Sequence, residues 1–407
     1  MSLQSLDQFI SPFVAQQFLR EIYGKRPMYI PGEPGRFADL LPWDVVNDIL
    51  FQQQPDDRRF KVAKDGKAIR LENFVKTNPP LQNRGKVGGH RSLNIFNLIR
   101  ALREGATLII DRVDQMHAPI AALCRTLERE LCDIVDAGVY AAWHQSRGLE
   151  THWDDCDVFV VQVSGRKSWR IFGPGRRFPI TKDRELPLTP PEDPHWAGEL
   201  SSGDLLYIPR GWWHDAVALG EPTLHLTLGV RREIGLDFVN YLLTRLGGYE
   251  VARADLPRFA SPEEQKQYIS TLREAIAALL SEDSLSNYFR RVDASVPGRM
   301  RLSLPWSIMP NRPIPKSVWV HWLPVRHAPL TETADTVVLE ALGAKFTFKK
   351  AARPIIQCLV ESSPVSVEEL NLRCPEGAVE PVLNQLVWTG LISLSNDLDP
   401  QGRAVLS

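Results

Sequence analysis

The sequence reads THWD at residues 151–154 and GDLLYIPRGWWH at residues 203–214, and these two stretches decide the fold. His152 and Asp154 are two positions apart, so on a β-strand their side chains point to the same face. In the second stretch a strand ends at a Pro–Gly turn, which would direct His214 back into the mouth of a barrel. Two imidazoles and one carboxylate that meet there would occupy one face of a metal ion and leave the opposite positions open.

Size, charge and cysteine content restrict the classes of protein to which the chain can belong. A chain of 407 residues is too long for one ordinary core, so we expect two or three domains. Because 48 Lys and Arg nearly balance 49 Asp and Glu, no bulk charge draws the protein onto nucleic acid or an anionic membrane. The five cysteines show no CxxC spacing, which fits reduced thiols. Without a signal peptide or a membrane-spanning apolar run, we expect a cytoplasmic protein.

Short apolar segments between residues 139 and 230 have the character of β-strands. Gly and Pro separate them, and no helical period interrupts them. Many short strands without intervening helices indicate a sandwich or a barrel rather than an α/β sheet. Residues 164–167 (SGRK) predict a two-residue hairpin loop, because Gly165 stands at the first central position that a type II′ turn requires.

Helical patterns flank the β-rich region, and we expect three domains. Residues 1–235 would form the catalytic β-domain with N-terminal helices, residues 236–330 a helical domain and linker, and residues 331–407 a winged helix, since three predicted helices precede a short β-wing there. In the middle domain, one predicted helix at 262–280 carries an apolar stripe on an otherwise charged surface. The stripe consists of Ile269, Leu272, Ile276, Leu279 and Leu280. It must be buried against this chain or against a second copy.

The motif around His214 carries a family resemblance. It has the form G-x5-P-x-G-x2-H, which is similar to the second cupin motif. A His-x-Asp pair alone also arises by chance in surface loops, but here it opens the run HWDDCDVFVVQVSGRKSWRI at residues 152–171. That run, residues 25–27 (KRP) and the C-terminal winged helix resemble the Jumonji C oxygenases of the ribosomal-oxygenase type. The resemblance implies a mainly β protein with α-helices, built on a double-stranded β-helix (jelly-roll or cupin) core.

The resemblance also implies a cofactor and a ligand set. It implies Fe(II) bound by His152, Asp154 and His214, with 2-oxoglutarate as the co-substrate beside the metal. Neutral imidazoles and a carboxylate suit Fe(II), and three protein ligands leave room for a bidentate keto acid and dioxygen. Zinc would accept the same donors, so the preference for iron comes from the resemblance.

Lys167 and Tyr140 match family positions that bind the distal carboxylate of 2-oxoglutarate. In a hairpin, Lys167 would stand opposite Ser164 and point inward with the preceding strand. A buried ammonium is costly without a partner, and a dicarboxylate supplies one, whereas an isolated lysine beside a turn is usually exposed. Tyr140 could equally be a core tyrosine. Thr227 and His225, on the closing strand, are further candidates for the lining of the site.

The remaining histidines favour a structural interpretation. His117, His144 and His195 have no second ligand at strand or helix spacing, so we expect them to be solvent-exposed or core histidines. His144 could line the entrance for the substrate. None of the three is expected to bind the metal.

The winged helix raises the question of nucleic-acid binding. Its predicted third helix, residues 377–389, contains Glu380 and no Lys or Arg, although a helix in the major groove normally carries cations. The composition therefore argues against direct nucleic-acid binding and favours a protein-contact or structural module. The basic residues Lys349, Lys350 and Arg353 leave the other interpretation open.

The resulting functional hypothesis is an Fe(II)- and 2-oxoglutarate-dependent oxygenase that hydroxylates a protein side chain. By resemblance, the target is an Arg or His of a ribosomal protein, and the apolar stripe fits a homodimer. Three alternatives stay open: a hydroxylase of a peptide natural product or small molecule, a demethylase of methylated lysine, and a non-catalytic binding module that retains a metal. The ligand set alone does not distinguish them.

Overall fold

The computed structural model describes residues 3–52, 59–78, 90–145, 147–186, 188–299, 302–309, 312–326, 330–375 and 377–396. The chain folds into two compact units, of which the first extends to Arg232 and the second begins at Glu233. Among the described residues, no helix has both the length and the apolar character needed to cross a membrane.

The first unit combines N-terminal helices with many short strands. Its helices are α1 Leu6–Phe9, α2 Ala15–Glu21, α3 Trp43–Gln52, α4 Ile95–Arg103 and α5 Ala118–Leu131. Its strands are β1 Met28–Ile30, β2 Phe60–Lys64, β3 Lys67–Ile69, β4 Val75–Asn78, β5 His90–Leu93, β6 Thr107–Asp111, β7 Ile134–Ala142, β8 Asp157–Ser164, β9 Lys167–Pro174, β10 Trp196–Leu200, β11 Leu205–Ile208, β12 Trp212–Ala218 and β13 Thr223–Arg231.

Two sheets of the first unit have the strand order of a jelly roll. The larger sheet runs β1-β11-β8-β13-β7-β6-β2-β3, and the smaller runs β10-β9-β12. Arg147 and His152 form single β-bridges with Val217 and His214 of β12, so the segment between them takes the place of a fourth strand beside β12. From β7 to β13 the chain therefore crosses repeatedly between the two sheets. This topology confirms the cupin-like core expected from the sequence.

The strands β8 and β11 of the larger sheet are buried on both faces, because helices cover one face and the smaller sheet covers the other. On β8, Phe159 and Val161 belong to the core that the N-terminal helices share. The alternating residues Val158 and Val160 pack in a second core with Trp169 of β9. This double burial explains why β8 reads as an unbroken apolar run instead of alternating apolar and polar residues.

The second unit begins with helices and continues with a mixed region. Its helices are α6 Gly235–Leu246, α7 Glu250–Arg253, α8 Pro262–Leu279, α9 Ser284–Ser295, α10 Arg353–Ser362, α11 Val367–Arg373 and α12 Val379–Trp388. Its strands are β14 Trp319–Trp322, β15 Leu330–Glu332, β16 Thr336–Ala341, β17 Ala344–Lys349, β18 Val365–Ser366 and β19 Ile392–Ser395.

Strand β14 corrects one predicted domain boundary. It lies between β18 and β19 in a three-stranded sheet, where Val320 pairs with Val365 and with Leu394. All three residues belong to one buried core. A boundary at 330/331 would separate β14 from both of its partners, so the predicted boundary is wrong at this point. The backbone N–H and C=O groups of a buried strand need hydrogen-bond partners. Those of β14 come from β18 and β19, which follow much later in the sequence.

The apolar stripe on α8 lies largely on the surface of the described chain. Ile269, Ile276 and Leu280 are 51%, 42% and 55% exposed. Leu272 and Leu279 are only partly buried. Apolar side chains that stay exposed together on one helix are a candidate surface for contact with another molecule.

Candidate metal centre

His152 and His214 are held together by reciprocal backbone hydrogen bonds. The His152 N–H donates to the His214 carbonyl at 3.1 Å, and the His214 N–H donates to the His152 carbonyl at 2.7 Å. The Gly211 N–H donates to the carbonyl of Asp154 at 2.9 Å. The segment that carries His152 and Asp154 is therefore fastened to the start of β12. It is not the regular strand predicted from the His-x-Asp spacing, because only His152 forms a bridge and Asp154 lies in irregular backbone before β8.

The three predicted ligands converge. One donor atom from each of His152, Asp154 and His214 lies within 4.8 Å of the others. The Nε2 of His214 lies 3.5 Å from the Oδ2 of Asp154, and the two imidazole centroids are 4.4 Å apart. Two nitrogens and one carboxylate oxygen therefore face a common point, which is the donor set of a facial metal site with open positions.

The tautomers of both histidines follow from their hydrogen bonds. The Nδ1 of His152 lies 2.8 Å from the carbonyl oxygen of Glu150, and the Nδ1 of His214 lies 3.0 Å from that of Trp212. Because a carbonyl only accepts, each Nδ1 must carry the proton and donate it. The lone pair is then on Nε2, the nitrogen left to bind a metal.

Burial keeps His214 neutral. Desolvation, assisted by repulsion from His152, lowers the pKa of His214 to about 4, although the carboxylate of Asp154 acts in the opposite direction. At neutral pH the imidazole is therefore unprotonated and available as a ligand. The chemistry of the donor set fits a divalent metal such as Fe(II).

Lys167 points into the same cavity, but by a different route from the one predicted. Strands β8 and β9 belong to different sheets, so residues 164–167 cross from one sheet to the other, and the predicted hairpin is wrong. Gly165 is needed at this crossing: its φ is +66°, and a Cβ there would lie 2.2 Å from the carbonyl oxygen of Pro222. The crossing turns Lys167 inward, where it is 5% exposed.

The amine of Lys167 is buried without a compensating carboxylate among the described residues. Desolvation lowers its pKa to about 7, and no acidic group in the described part of the chain offsets this effect. Such a side chain is stable as an ammonium only when an anion joins it. The cavity beside the three metal-ligand candidates therefore favours an acidic ligand.

Tyr140, Thr227 and His225 line this cavity together with Lys167. The Tyr140 and His225 rings stack with centroids 4.8 Å apart and an interplanar angle of 6°. Burial raises the pKa of the Tyr140 phenol, and the nearby Asp154 carboxylate adds to the shift, so the hydroxyl stays protonated as a donor. The buried Nδ1 of His225 and the buried Nε1 of Trp169 have no hydrogen-bond partner among the described residues. A polar ligand would satisfy such atoms.

The three histidines expected to play no part in metal binding are His117, His144 and His195. The one group of three metal-binding side chains among the described residues contains none of them. His195 packs edge-on against Trp212, with ring centroids 5.1 Å apart. His117 precedes α5, and His144 follows β7.

A buried carboxylate beside the centre was not predicted from the sequence. Asp215 is 2% exposed and accepts hydrogen bonds from Thr151 Oγ1 at 2.8 Å and from Arg170 Nε and Nη2 at 2.9 and 2.6 Å. Arg147 lies 3.4 Å away. Burial alone would raise the pKa of Asp215, but the hydrogen bonds from Arg170 and Thr151 hold it below its usual range. Since Thr151 precedes His152 and Asp215 follows His214, this network positions both histidines from behind.

A second cavity of about 290 Å³ adjoins the centre. It shares Tyr140, Asp154, Val158 and Thr227 with the first cavity. Ion pairs surround it, with nitrogen–oxygen distances between 2.5 and 3.1 Å: Lys61–Asp111, Arg184–Asp155 and Arg231–Asp136. Its polar surroundings suit a route by which a polar group could reach the metal.

Comparison with known proteins places this geometry in context. Residues 114–237 match the model of the JmjC domain. The ribosomal protein uL16 3-hydroxylase of Escherichia coli (strain K12) is 28% identical over 275 residues, which cover 65% of this chain and 67% of that protein. The bifunctional lysine-specific demethylase and histidyl-hydroxylase NO66 of Drosophila persimilis is 28% identical over 235 residues, which cover 56% of this chain. The match spans 32% of the length of that NO66 protein.

Among solved structures, one similar chain is YcfD, a ribosomal oxygenase from Escherichia coli, in complex with cobalt and 2-oxoglutarate. It is 22% identical, with a TM-score of 0.57 over 94% of this chain and 99% of that chain. This likeness extends the shared fold beyond the matched domain. The chain therefore carries a JmjC domain at residues 114–237, and it resembles ribosomal oxygenases in its fold.

Proposed function

We propose that the first unit is an Fe(II)- and 2-oxoglutarate-dependent oxygenase that hydroxylates a protein side chain. The observation that carries the proposal is the convergence of His152, Asp154 and His214 beside the buried, unpaired amine of Lys167. The donor set suits Fe(II), and the amine suits a dicarboxylate that binds next to it.

The residues of the centre have distinct tasks in this reaction. Bound Fe(II) supplies the activation of dioxygen, which is coupled to the oxidative decarboxylation of 2-oxoglutarate. His152, Asp154 and His214 hold the metal on one side and leave the other side open. The carbonyls of Glu150 and Trp212 fix the two imidazoles in the orientation and tautomer that metal binding requires.

Lys167 and the residues around it would bind the co-substrate. Its ammonium donates to the distal carboxylate of 2-oxoglutarate, and the carboxylate in turn raises the pKa of the amine above the value that burial alone imposes. Tyr140 donates its hydroxyl to the same carboxylate, and Thr227 lines the cavity beside it. Because Lys167 and His225 are 5% and 3% exposed, little water competes for these contacts.

The proposed substrate is an Arg or His side chain of a ribosomal protein, and we propose that the reaction takes place in the cytoplasm. One relative is named as a ribosomal protein hydroxylase and another as a histidyl-hydroxylase. The second cavity, with its surrounding ion pairs, supports a polar side chain as the group that enters.

Mass spectrometry of ribosomal proteins tests this proposal. Incubation with the enzyme, Fe(II), 2-oxoglutarate and air should add the mass of one oxygen atom to an Arg or His residue, with succinate formed in equal amount. Oxygen added only to a small molecule or a peptide natural product would contradict the protein substrate. No succinate with any substrate, in a preparation shown to contain Fe(II), would contradict the oxygenase itself.

The second unit would contribute dimerisation and a winged helix. We propose that the exposed stripe of α8 and the exposed residues Leu236, Val239 and Leu243 of α6 pack against a second copy. A monomer at every concentration in analytical ultracentrifugation would contradict this.

The order α10, α11, α12, β19 supports a winged helix that also includes β14. Cooperative hydrogen exchange of these elements is expected, and independent exchange of β14 would argue against it.

A further inference from the structure

The second unit contains a broad groove whose lining is strongly cationic. The groove has a volume of about 780 Å³ and is formed by α6, α9, the hairpin of β16 and β17, and the end of α8, where Leu279 of the apolar stripe lines it. Its charged lining residues are Arg245, Arg290, Arg291, Lys345 and Glu340. The carboxylate of Glu340 lies 2.6 Å from the Nζ of Lys345, so these two charges compensate each other. Three guanidinium groups remain.

These three arginines have no acidic partner in the ranges that the structure describes. No carboxylate there lies within 4.0 Å of Arg245, Arg290 or Arg291, whereas many other arginines, such as Arg170 and Arg184, have one. The whole chain has a formal net charge of only −1, so the cluster is a local departure from a balanced composition. Like charges gathered on one concave surface attract anions from solution.

An aromatic side chain orients the cluster. The guanidinium carbons of Arg245 and Arg291 lie 5.8 and 5.7 Å from the centroid of the Tyr241 ring. Tyr241 is held in turn by the buried Tyr288, whose ring centroid is 5.3 Å away. A second tyrosine, Tyr249, also lines the groove. Cations interleaved with aromatic rings along a groove are the arrangement by which proteins bind single-stranded nucleic acid.

The groove faces away from the apolar surface of α6. An α-helix advances about 100° per residue, so Tyr241 and Arg245 lie roughly opposite Leu236, Val239 and Leu243. A partner that covers those apolar residues would leave this face of α6 uncovered. On α8 the two surfaces meet at Leu279, so the second copy would pack on Ile269 and Ile276 and leave the groove open. The groove is also distinct from the predicted recognition helix of the winged helix, on which the expectation of no direct nucleic-acid contact was based.

We infer that this groove binds the phosphate backbone of a single-stranded nucleic acid, with Arg245, Arg290 and Arg291 as the phosphate contacts. The planar guanidinium forms paired hydrogen bonds with phosphate oxygens, which favours arginine over lysine in such a role. The inference does not depend on the proposed oxygenase activity, because all of these residues belong to the second unit.

Fluorescence anisotropy with a labelled twelve-nucleotide oligouridylate tests the inference on the full-length protein. Three phosphate contacts predict a slope of about −2 for log K against log salt, so a fourfold rise in salt should weaken binding about 20-fold. The double variant Arg290→Glu, Arg291→Glu should weaken binding at least tenfold and flatten the salt dependence. The matched control is Arg253→Glu, Arg258→Glu, which makes the same charge change outside the groove and should bind as the unmodified protein does.

Three results would overturn the inference. One is the absence of binding by the unmodified protein at low salt, and another is an equal loss of affinity in the control variant. The third is displacement of the oligouridylate by polyglutamate of equal total charge, which would show that the groove responds to charge alone. If thermal melting shows that the groove variant is unfolded, Arg290→Gln, Arg291→Gln replaces it, with the corresponding glutamine control.

Discussion

Lys167 in the first unit and the arginine cluster in the second unit are both cationic sites without carboxylate partners among the described residues, but their surroundings differ. Lys167 is 5% exposed, and burial lowers its pKa to about 7. Arg290 and Arg291 are exposed, and water stabilises their charges. The free-energy cost of an unpaired charge is therefore high at Lys167 and low at the arginine cluster. A single buried group can control binding, whereas exposed groups act together and respond to salt.

The largest effect is expected where a buried metal ligand is lost. His214→Ala removes one of three donors from a centre in which the other groups are already oriented, so we expect turnover to fall more than about 100-fold. Succinate formation measures this loss, and cobalt titration by calorimetry should show a parallel loss of metal affinity. The matched control His321→Ala, at a histidine on β14 of the second unit, should retain turnover. Full turnover in His214→Ala would show that the ligand assignment is wrong.

The next largest effect is expected at the buried cation. Lys167→Met keeps the volume of the side chain but removes the charge, so the KM for 2-oxoglutarate should rise by about 10- to 100-fold, the equivalent of one charge-assisted hydrogen bond. The free energy of unfolding of the ligand-free protein should increase in the same variant, because an uncompensated buried amine is gone. Steady-state kinetics and thermal melting test the two effects separately. An unchanged KM would contradict the proposed contact with the co-substrate.

A smaller effect is expected behind the metal centre. Asp215→Asn weakens the contacts to Thr151 and Arg170, and we expect cobalt affinity to fall by about 10- to 100-fold while the fold is retained. The matched control is Asp204→Asn, because Asp204 is also buried and accepts three hydrogen bonds, from Tyr29, Gly32 and Ser201, none of which adjoins a proposed metal ligand in the sequence. Equal metal affinity in the two variants would show that the Asp215 network contributes stability only.

The smallest expected effect is the uptake of one proton when 2-oxoglutarate binds. The unfolded chain holds Lys167 protonated up to its ordinary pKa of 10.5, but burial lowers this pKa to about 7 in the folded protein. Without ligand, the free energy of unfolding therefore rises with pH between about 7 and 10.5. Below this range the amine is protonated in both states, and the folded protein bears the full cost of burying its charge. Binding of 2-oxoglutarate at about pH 8.5 should restore the ammonium and take up close to one proton. Calorimetry in buffers of different ionisation enthalpy measures this uptake, and its persistence in Lys167→Met would assign it elsewhere.

Local patterns predicted the β-rich core of the first unit and the three side chains that converge in it, whose role as metal ligands stays a prediction. Three signals sufficed to predict that these side chains meet: the spacing of His152 and Asp154, the turn before His214, and the family resemblance. The loop at 164–167 was misinterpreted because a glycine with positive φ suits a hairpin and a crossing between sheets equally well.

Features that join distant segments of the chain could not be predicted from local sequence patterns. The Asp215 network links Thr151, Arg170 and Asp215 from three separate segments, although a charged residue directly after a metal-ligand candidate was a signal that could have been noticed. The cationic groove is formed by residues between 241 and 345, and no stretch of the sequence within that range is markedly basic. The partners of strand β14 likewise follow more than forty positions later in the sequence, beyond the reach of a local pattern.

The bridge between His152 and His214 also bears on how the protein matures. Two of the three proposed donors lie in the earlier part of the JmjC domain, and the last follows only after five further strands have been made or begun. A ribosome-bound chain that stops before residue 214 carries an incomplete metal site, and the backbone hydrogen bonds that align it cannot yet exist. All three donors can therefore hold a metal ion only after the chain has been made as far as β12, so metal binding follows the synthesis of this part of the barrel and does not accompany it.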